Sequence, residues 1–389
     1  MKASSPDDPA ATAAISLLGR LVGFDTVSAN SNLPLIDFVA EYLDSHGVAS
    51  VRVASDDGRK AGLIASIGRP VEGGVVLSGH TDVVPVEGQA WSSDPFTLTR
   101  RGERLHGRGT ADMKGFIAAA LALVPWFRAQ PLQRPIHFAF SYDEEVGCLG
   151  APRLIEALRA RVPAPAFAII GEPTGMQVAE RHRGINSFVT TVSGRGGHSS
   201  APERGVNAIV LAARLALELE RLAAAPAADH EGGRDGELEP VTVNVGRIEG
   251  GAAVNMIAEH CRLVWECRSA SDRAAPQLAA RLERFAADLV AAARLRAPEV
   301  AVATQEQVAV PAFVAGPAVK AVALQLSGHD HCIELPFTSE AGLFQRAGIP
   351  AVVCGPGRLS EAHQPDEFIA CDELAACLRF LRRLGAWAS

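Results

Sequence analysis

The sequence predicts an α/β protein: a mixed sheet sandwiched by helices, interrupted by an inserted α+β unit. Three observations predict it. Helically spaced apolar runs alternate with short strand-like runs over residues 10–170, the pattern changes near residue 183, and the earlier alternation resumes after about residue 305. At 389 residues, with 48% hydrophobic and 21% charged side chains, the chain is long enough to bury the cores of two or three domains.

Each element follows from its own pattern. Residues 10–24 and 33–46 carry apolar side chains at helical spacing, and residues 51–54, 62–67 and 75–77 are strand-like. Residues 117–127 predict a buried helix that Pro125, lacking an N–H, should kink or end. Strands at 136–142 and 166–170 flank a helix at 153–160. Helices on both faces of one mostly parallel or mixed sheet bury all of these runs. Beyond residue 183, residues 187–192 alternate as a strand, 206–222 form a long Ala/Leu helix, and 241–248 and 262–267 are strands. A helix at 276–295 and a strand at 300–310 complete a β-α-β-β-α-β order, that of a ferredoxin-like unit. The expected domains are therefore residues 1–182 with 306–389, and an insert of 183–305. The Ala/Gly/Asp/Glu-rich residues 223–239 predict an exposed mobile loop inside the insert.

Composition narrows the function. A net charge of -7 without long Lys/Arg runs argues against nucleic-acid and acidic-membrane partners, although a local basic patch can still serve a small anion. Residues 1–9 lack both the charged-then-apolar layout of a secretory signal and the Arg-rich layout of a transit peptide. No apolar run is expected to be long enough to span a bilayer. Seven cysteines without a C-x-x-C pair, mostly in apolar surroundings, predict buried reduced thiols and a cytoplasmic protein.

Five polar motifs punctuate these apolar segments. Residues 75–77 lead into Ser78-Gly79-His80-Thr81-Asp82, residues 136–142 into Asp143-Glu144-Glu145, and residues 166–170 into Gly171-Glu172-Pro173-Thr174. Residues 351–354 lead into Gly355-Pro356-Gly357, shortly before His363. In open α/β sheets the carboxyl ends of strands form the ligand crevice, so distant segments can converge there. Asp112 lies in a Gly-rich loop ahead of the residue 117 helix, where its carboxylate is free to bridge ions. Histidine and carboxylate donors without thiolate suit a divalent ion held for hydrolysis, and a shared carboxylate would let two ions act on one carbonyl. Taken singly, Asp112 reads as a helix cap and His80 as a packed histidine. Gathered in one crevice, His80, Asp112, Glu145, Glu172 and His363 would leave desolvated charge unless they shared a partner.

The ordered series H-T-D, G-x-G-T-A-D-M-K-G, D-E-E, G-E-P-T, G-H-S-S and A-H-Q-P-D-E resembles the M20 family of co-catalytic zinc amidohydrolases, in particular its acetylornithine deacetylase branch, along essentially the whole chain. The resemblance implies a two-domain dimer with two divalent ions, Zn2+ or alternatively Co2+. It implies that His80 and Glu172 hold one ion, that Glu145 and His363 hold the other, and that Asp112 bridges them. Glu144 would be the general base, and His198 would reach from the insert of one subunit to donate to the oxyanion in the other. Asp82, two residues beyond His80, is placed to accept the second ring N–H and fix the tautomer.

Substrate contacts are read from weaker signals. Asn255 and Arg268 match substrate-binding positions of relatives, and the planar fork of an arginine suits a carboxylate. The chain departs from the family there, with Glu266 in place of the usual Asp and Ser269 in place of proline. Glu340 either faces a cationic substrate side chain or is a helix-start carboxylate favoured by the helix dipole. Gly107-Arg108-Gly109 lacks the pattern of a phosphate loop, and His329-Asp330-His331 has ligand chemistry but no third anchor. His106, His137, His182 and His260 read as ordinary packed or exposed histidines. The implied reaction is hydrolysis of N2-acetyl-L-ornithine to ornithine and acetate, in arginine biosynthesis. Succinyl-diaminopimelate desuccinylation, or broader N-acyl-amino-acid deacylation, is the alternative chemistry. A non-catalytic binding protein on the same scaffold is the alternative of another class.

Overall fold

Four strands buried along their whole length dictate the centre of the first unit: Val75–His80, Ile136–Ser141, Phe167–Pro173 and Ala351–Gly355. Strands without a solvated face belong inside a parallel sheet covered on both sides. Here Val75–His80 pairs in parallel with both Ile136–Ser141 and Phe167–Pro173, and Ala351–Gly355 pairs in parallel with Phe167–Pro173. Ala61–Ile67 with Ser50–Ala54 on one side, and Ala179–His182 with the short strands Phe313–Val314 and Ile333–Leu335 on the other, extend this into a nine-stranded mixed sheet.

The computed structural model describes residues 8–224 and 241–389. It forms two compact units, Met1–Arg181 with Phe313–Ser389 and His182–Ala312. The division falls beyond the expected residue 305 because strand Ala301–Val310 pairs along its length, with one bulge between Glu306 and Val308, beside Gly184–Ser193 and belongs to the second unit. The mobile loop expected at 223–239 lies, from residue 225 onward, outside the described residues.

Helices cover both faces of the large sheet, as two glycines show. Leu63 and Gly79 both lie opposite Phe140, so they point to the same face, and a Cβ on Gly79 would meet Ile117 of helix Gly115–Ala122. Gly62, one residue earlier and therefore on the other face, abuts Leu154 of helix Ala151–Arg159. The buried helix ends where Pro125 demands: Gly115–Ala122 stops at Leu123, and a second helix, Val124–Ala129, takes the proline into its first turn. The expectation that no run could span a bilayer needs correcting. Residues 110–129 have the length and mean hydropathy for it, at 20 residues and 1.2. That stretch is 89% buried, includes Asp112, Lys114 and Arg128, and is divided among successive elements packed in the core of this unit.

The second unit is a four-stranded antiparallel sheet in the order Val241–Gly250, His260–Ser269, Gly184–Ser193, Ala301–Val310. Helices Ala208–Ala223 and Ala274–Arg294 bury their apolar stripes against it around Phe188, Leu215, Leu263, Trp265 and Leu282. Phe188 stacks on Trp265 at 4.2 Å between ring centroids, and the indole N–H donates to Thr190 Oγ1 at 3.0 Å. With the connection order β-α-β-β-α-β, this is the expected ferredoxin-like arrangement.

Candidate metal centre

The carboxyl ends of the four parallel strands deliver the candidate residues. His80 ends its strand level with Ser141, after which the chain turns through Asp143, Glu144 and Glu145, while Glu172 sits near the end of the next strand. Gly171 lets that strand lie against the core helix, since a Cβ there would fall 2.0 Å from the Phe116 ring. Gly355 ends the fourth strand, and the loop beyond it carries His363 in a left-handed conformation, φ 61°.

Two groups of donors form around Asp112. His80, Asp112 and Glu172 have donor atoms all within 4.8 Å of one another, and so do Asp112, Glu145 and His363. His80 Nε2 lies 3.0 Å from Asp112 Oδ1 and 3.9 Å from Glu172 Oε1. His363 Nε2 lies 3.3 Å from Asp112 Oδ2 and 3.1 Å from Glu145 Oε2. Each oxygen of Asp112 thus faces a different histidine, and all five residues singled out from the sequence come together in the first unit.

Asp82 corrects one expectation. His80 Nδ1 donates to the Asp82 main-chain carbonyl at 2.9 Å, whereas the Asp82 carboxylate lies at 3.6 Å. A carbonyl only accepts, so Nδ1 carries a proton, and Nε2 is the nitrogen turned toward Asp112. The Asp82 side chain is engaged elsewhere. It accepts the Ser28 hydroxyl at 2.6 Å and the backbone N–H groups of Glu144 at 3.1 Å and Glu145 at 3.3 Å. It therefore pins the turn that aims the two glutamates. Glu144 Oε1 also accepts from the Cys148 thiol at 3.4 Å.

The electrostatics of this cluster call for positive charge. Burial opposes ionisation of Asp112, but hydrogen bonds from His363 and His80 hold its carboxyl well below the usual range. Burial, and after it the Asp112 charge, raise Glu145 and Glu172. Burial pushes Glu144 well above the ordinary range; His80 works against this, and Glu145, Asp112 and Glu340 add to it. Hydrogen bonds to Asp112 and Glu145 push His363 up to about 10. Buried Oε1 atoms of Glu145 and Glu172 have no hydrogen-bond partner among the described residues. A His/carboxylate set with orphaned oxygens and a shared aspartate fits two divalent cations, which would satisfy both.

Glu340 lies inside this unit rather than on an open wall. It is 1% exposed at the start of helix Ala341–Arg346, and its Oε2 accepts the Ser78 hydroxyl at 3.2 Å. His329 and His331 are exposed, and His331 pairs with Asp330.

The remaining candidates belong to the second unit. His198 pairs with Met256 across a short ladder, and Ser199 N donates to Asn255 O at 3.0 Å, so His198 and Asn255 are neighbours. The exposed His198 ring accepts the Ser200 N–H at Nδ1, 3.2 Å away, leaving Nε2–H as a donor. Arg268 pairs with Glu266 at 3.1 Å, eight residues along the strand from His260, a span of about 27 Å.

Sequence reasoning passed over several residues that build the site. Arg108 and Glu367 form a buried ion pair at 2.8 Å, each 1% exposed. Lys114, also buried, donates to Phe24 O at 3.0 Å, and burial lowers its ammonium to about 7. All three stand inside the quoted motifs, but only burial separates them from solvated charges.

Residues 76–386 match the model of peptidase family M20/M25/M40. The chain is 32% identical over 369 residues to acetylornithine deacetylase of Photorhabdus laumondii, covering 91% of this chain and 92% of that protein. It is 34% identical over 380 residues to acetylornithine deacetylase of Myxococcus xanthus, covering 94% and 95%. Among solved structures, a tripeptidase from Staphylococcus aureus superposes with a TM-score of 0.75 at 19% identity, covering 97% and 98% of the two chains. A dinuclear metal-binding peptidase of the M20 family from Bacillus subtilis superposes with a TM-score of 0.70 at 16% identity, covering 97% and 98%.

Proposed function

This chain belongs to peptidase family M20/M25/M40 and is a metal-dependent hydrolase, and from that premise we propose that it hydrolyses N2-acetyl-L-ornithine to L-ornithine and acetate, in arginine biosynthesis, with two zinc ions. One observation carries the reading: two donor sets share Asp112 while Glu144 stands beside them outside both. His80 and Glu172 would hold one ion, Glu145 and His363 the other, with Asp112 common to both. When bound, the ions polarise the acyl carbonyl and make water more acidic. Cobalt can use the same donors.

The protein residues divide the remaining work. Glu144 takes a proton from the attacking water and delivers it to the departing nitrogen. Its turn is held by Asp82 through two backbone amides, and its Oε1 by Cys148. Adjacent Glu145 points instead to His363. His198 offers Nε2–H as a donor for the acyl oxygen, and Asn255 and Arg268 are the proposed contacts for the rest of the substrate. In this reading His198 comes from the second copy of a homodimer. Exposed Leu217, Ile248, Val254 and Met256 support a homodimer through the inserted unit. Seven free cysteines support a reducing, cytoplasmic setting.

Similarity to acetylornithine deacetylases over nine-tenths of the chain supports the substrate. Metal-quantified protein assayed side by side on acetyl-ornithine, succinyl-diaminopimelate and acetyl-methionine tests it. The reading expects the highest kcat/KM on acetyl-ornithine. Preference for either other compound would replace it with a desuccinylase or a broader deacylase, and no acyl release from any of the three would remove the deacylase reading.

A further inference from the structure

Resting on the two-ion reading, we infer that Glu367 is the positioning residue that sets the shared carboxylate of Asp112 and ties it to His363. The backbone around Asp112 leaves the helical region inside an otherwise helical run, with φ -123° and ψ 93°, so its amides need partners outside the helix. Glu367 supplies them with both oxygens. Its Oε1 accepts the N–H groups of Ala111 at 2.9 Å and Asp112 at 3.1 Å. Its Oε2 accepts Gly109 N–H at 2.9 Å and Arg108 Nη1 at 2.8 Å. Four donors surround a carboxylate that is 1% exposed, so its buried charge is satisfied only while the 109–112 loop keeps this shape.

The same segment carries His363 four residues earlier, and the two loops are laced together further. Arg108 Nη1 reaches Gln364 O at 3.3 Å, Gln89 Nε2 donates to His363 O at 2.9 Å, and Gly107 N–H donates to Glu367 O at 2.9 Å. The donor set of Asp112, Glu145 and His363 therefore has two members on the loops that Glu367 joins. The set of His80, Asp112 and Glu172 has one. Glu367 should accordingly govern the two sets unequally, although it is a member of neither.

Glu367→Gln keeps the size of the side chain but turns an NH2 toward donors and removes the charge facing Arg108. Metal-free protein titrated with Co2+, followed by calorimetry and by visible absorption, reads both binding steps. We expect the His363-containing site to lose on the order of 10- to 100-fold in affinity, the range for residues supporting a ligand, and the His80-containing site to lose less. Unchanged affinities with only a lower Tm would mean a merely structural role and overturn the inference, as would equal losses at both sites. Hydrogen exchange on the unaltered protein decides the matter if the variant does not fold. Residues 107–113 and 363–368 should gain protection in the same titration step, and independent protection would overturn the inference. Failure of the unaltered protein to bind Co2+ at all would instead remove the two-ion reading beneath it.

Discussion

Replacing Glu144 by glutamine isolates the proton-transfer role from metal binding. Glu144 belongs to neither donor set, so the substitution should leave metal content unchanged. Its backbone N–H still caps on Asp82, and the new amide oxygen can still accept from the Cys148 thiol, so the turn should keep its shape. What disappears is a carboxylate that burial and three neighbouring acids make unusually basic. General acid–base catalysis contributes about 10²–10⁴-fold, so kcat should fall by at least 100-fold, equivalent to about 3–5 kcal/mol of barrier. The assay is acetate release at saturating acetyl-ornithine, with metal content measured on the same sample and Tm recorded. A loss below about 10-fold with both ions bound would refute the proton-transfer role. A loss that tracks metal content would show that Glu144 acts as a ligand instead.

Three further outcomes are expected. Chelation should lower the Tm and Zn2+ restore it, because the buried acids Asp112, Glu144, Glu145 and Glu172 then outnumber the two histidines facing them; a Tm indifferent to metal would contradict the candidate centre. His137 is 1% exposed, its Nδ1 pairs with the Ser66 hydroxyl at 2.8 Å, and burial lowers it to about 4. Its folded pKa lies below the unfolded value of 6.5, so below pH 6.5 the unfolded chain takes up a proton that the folded one refuses, and stability is lost as pH falls toward 4. Metal-free protein should lose about 2 kcal/mol between pH 6.5 and 4.5 from this group, a component absent in His137→Gln; parallel urea-stability profiles would count against it. His198→Ala should reduce kcat by on the order of 10²-fold, the size of one oxyanion donor, with both metals retained, and full activity would exclude His198 from the reaction.

The local chemistry of this chain is written in its one-dimensional pattern. Four short apolar runs, each followed by a polar motif, suffice to place His80, Glu144, Glu145 and Glu172 at strand ends, because a strand buried on both faces belongs in a parallel interior. The inserted ferredoxin-like order is equally readable, since each of its elements carries its own periodicity. Which atom takes which hydrogen bond depends instead on angles between loops far apart in sequence. Asp82 lies two residues from His80, yet its carboxylate serves Glu144 and Glu145 while its carbonyl serves the ring. Glu340 reads equally as a substrate contact or a helix-start carboxylate, and its burial against Ser78 is visible only in the fold. Arg108 and Glu367 are separated by more than half the chain and bear no pattern that pairs them. Only the fold, by burying both beneath Asp112, makes their charges meet.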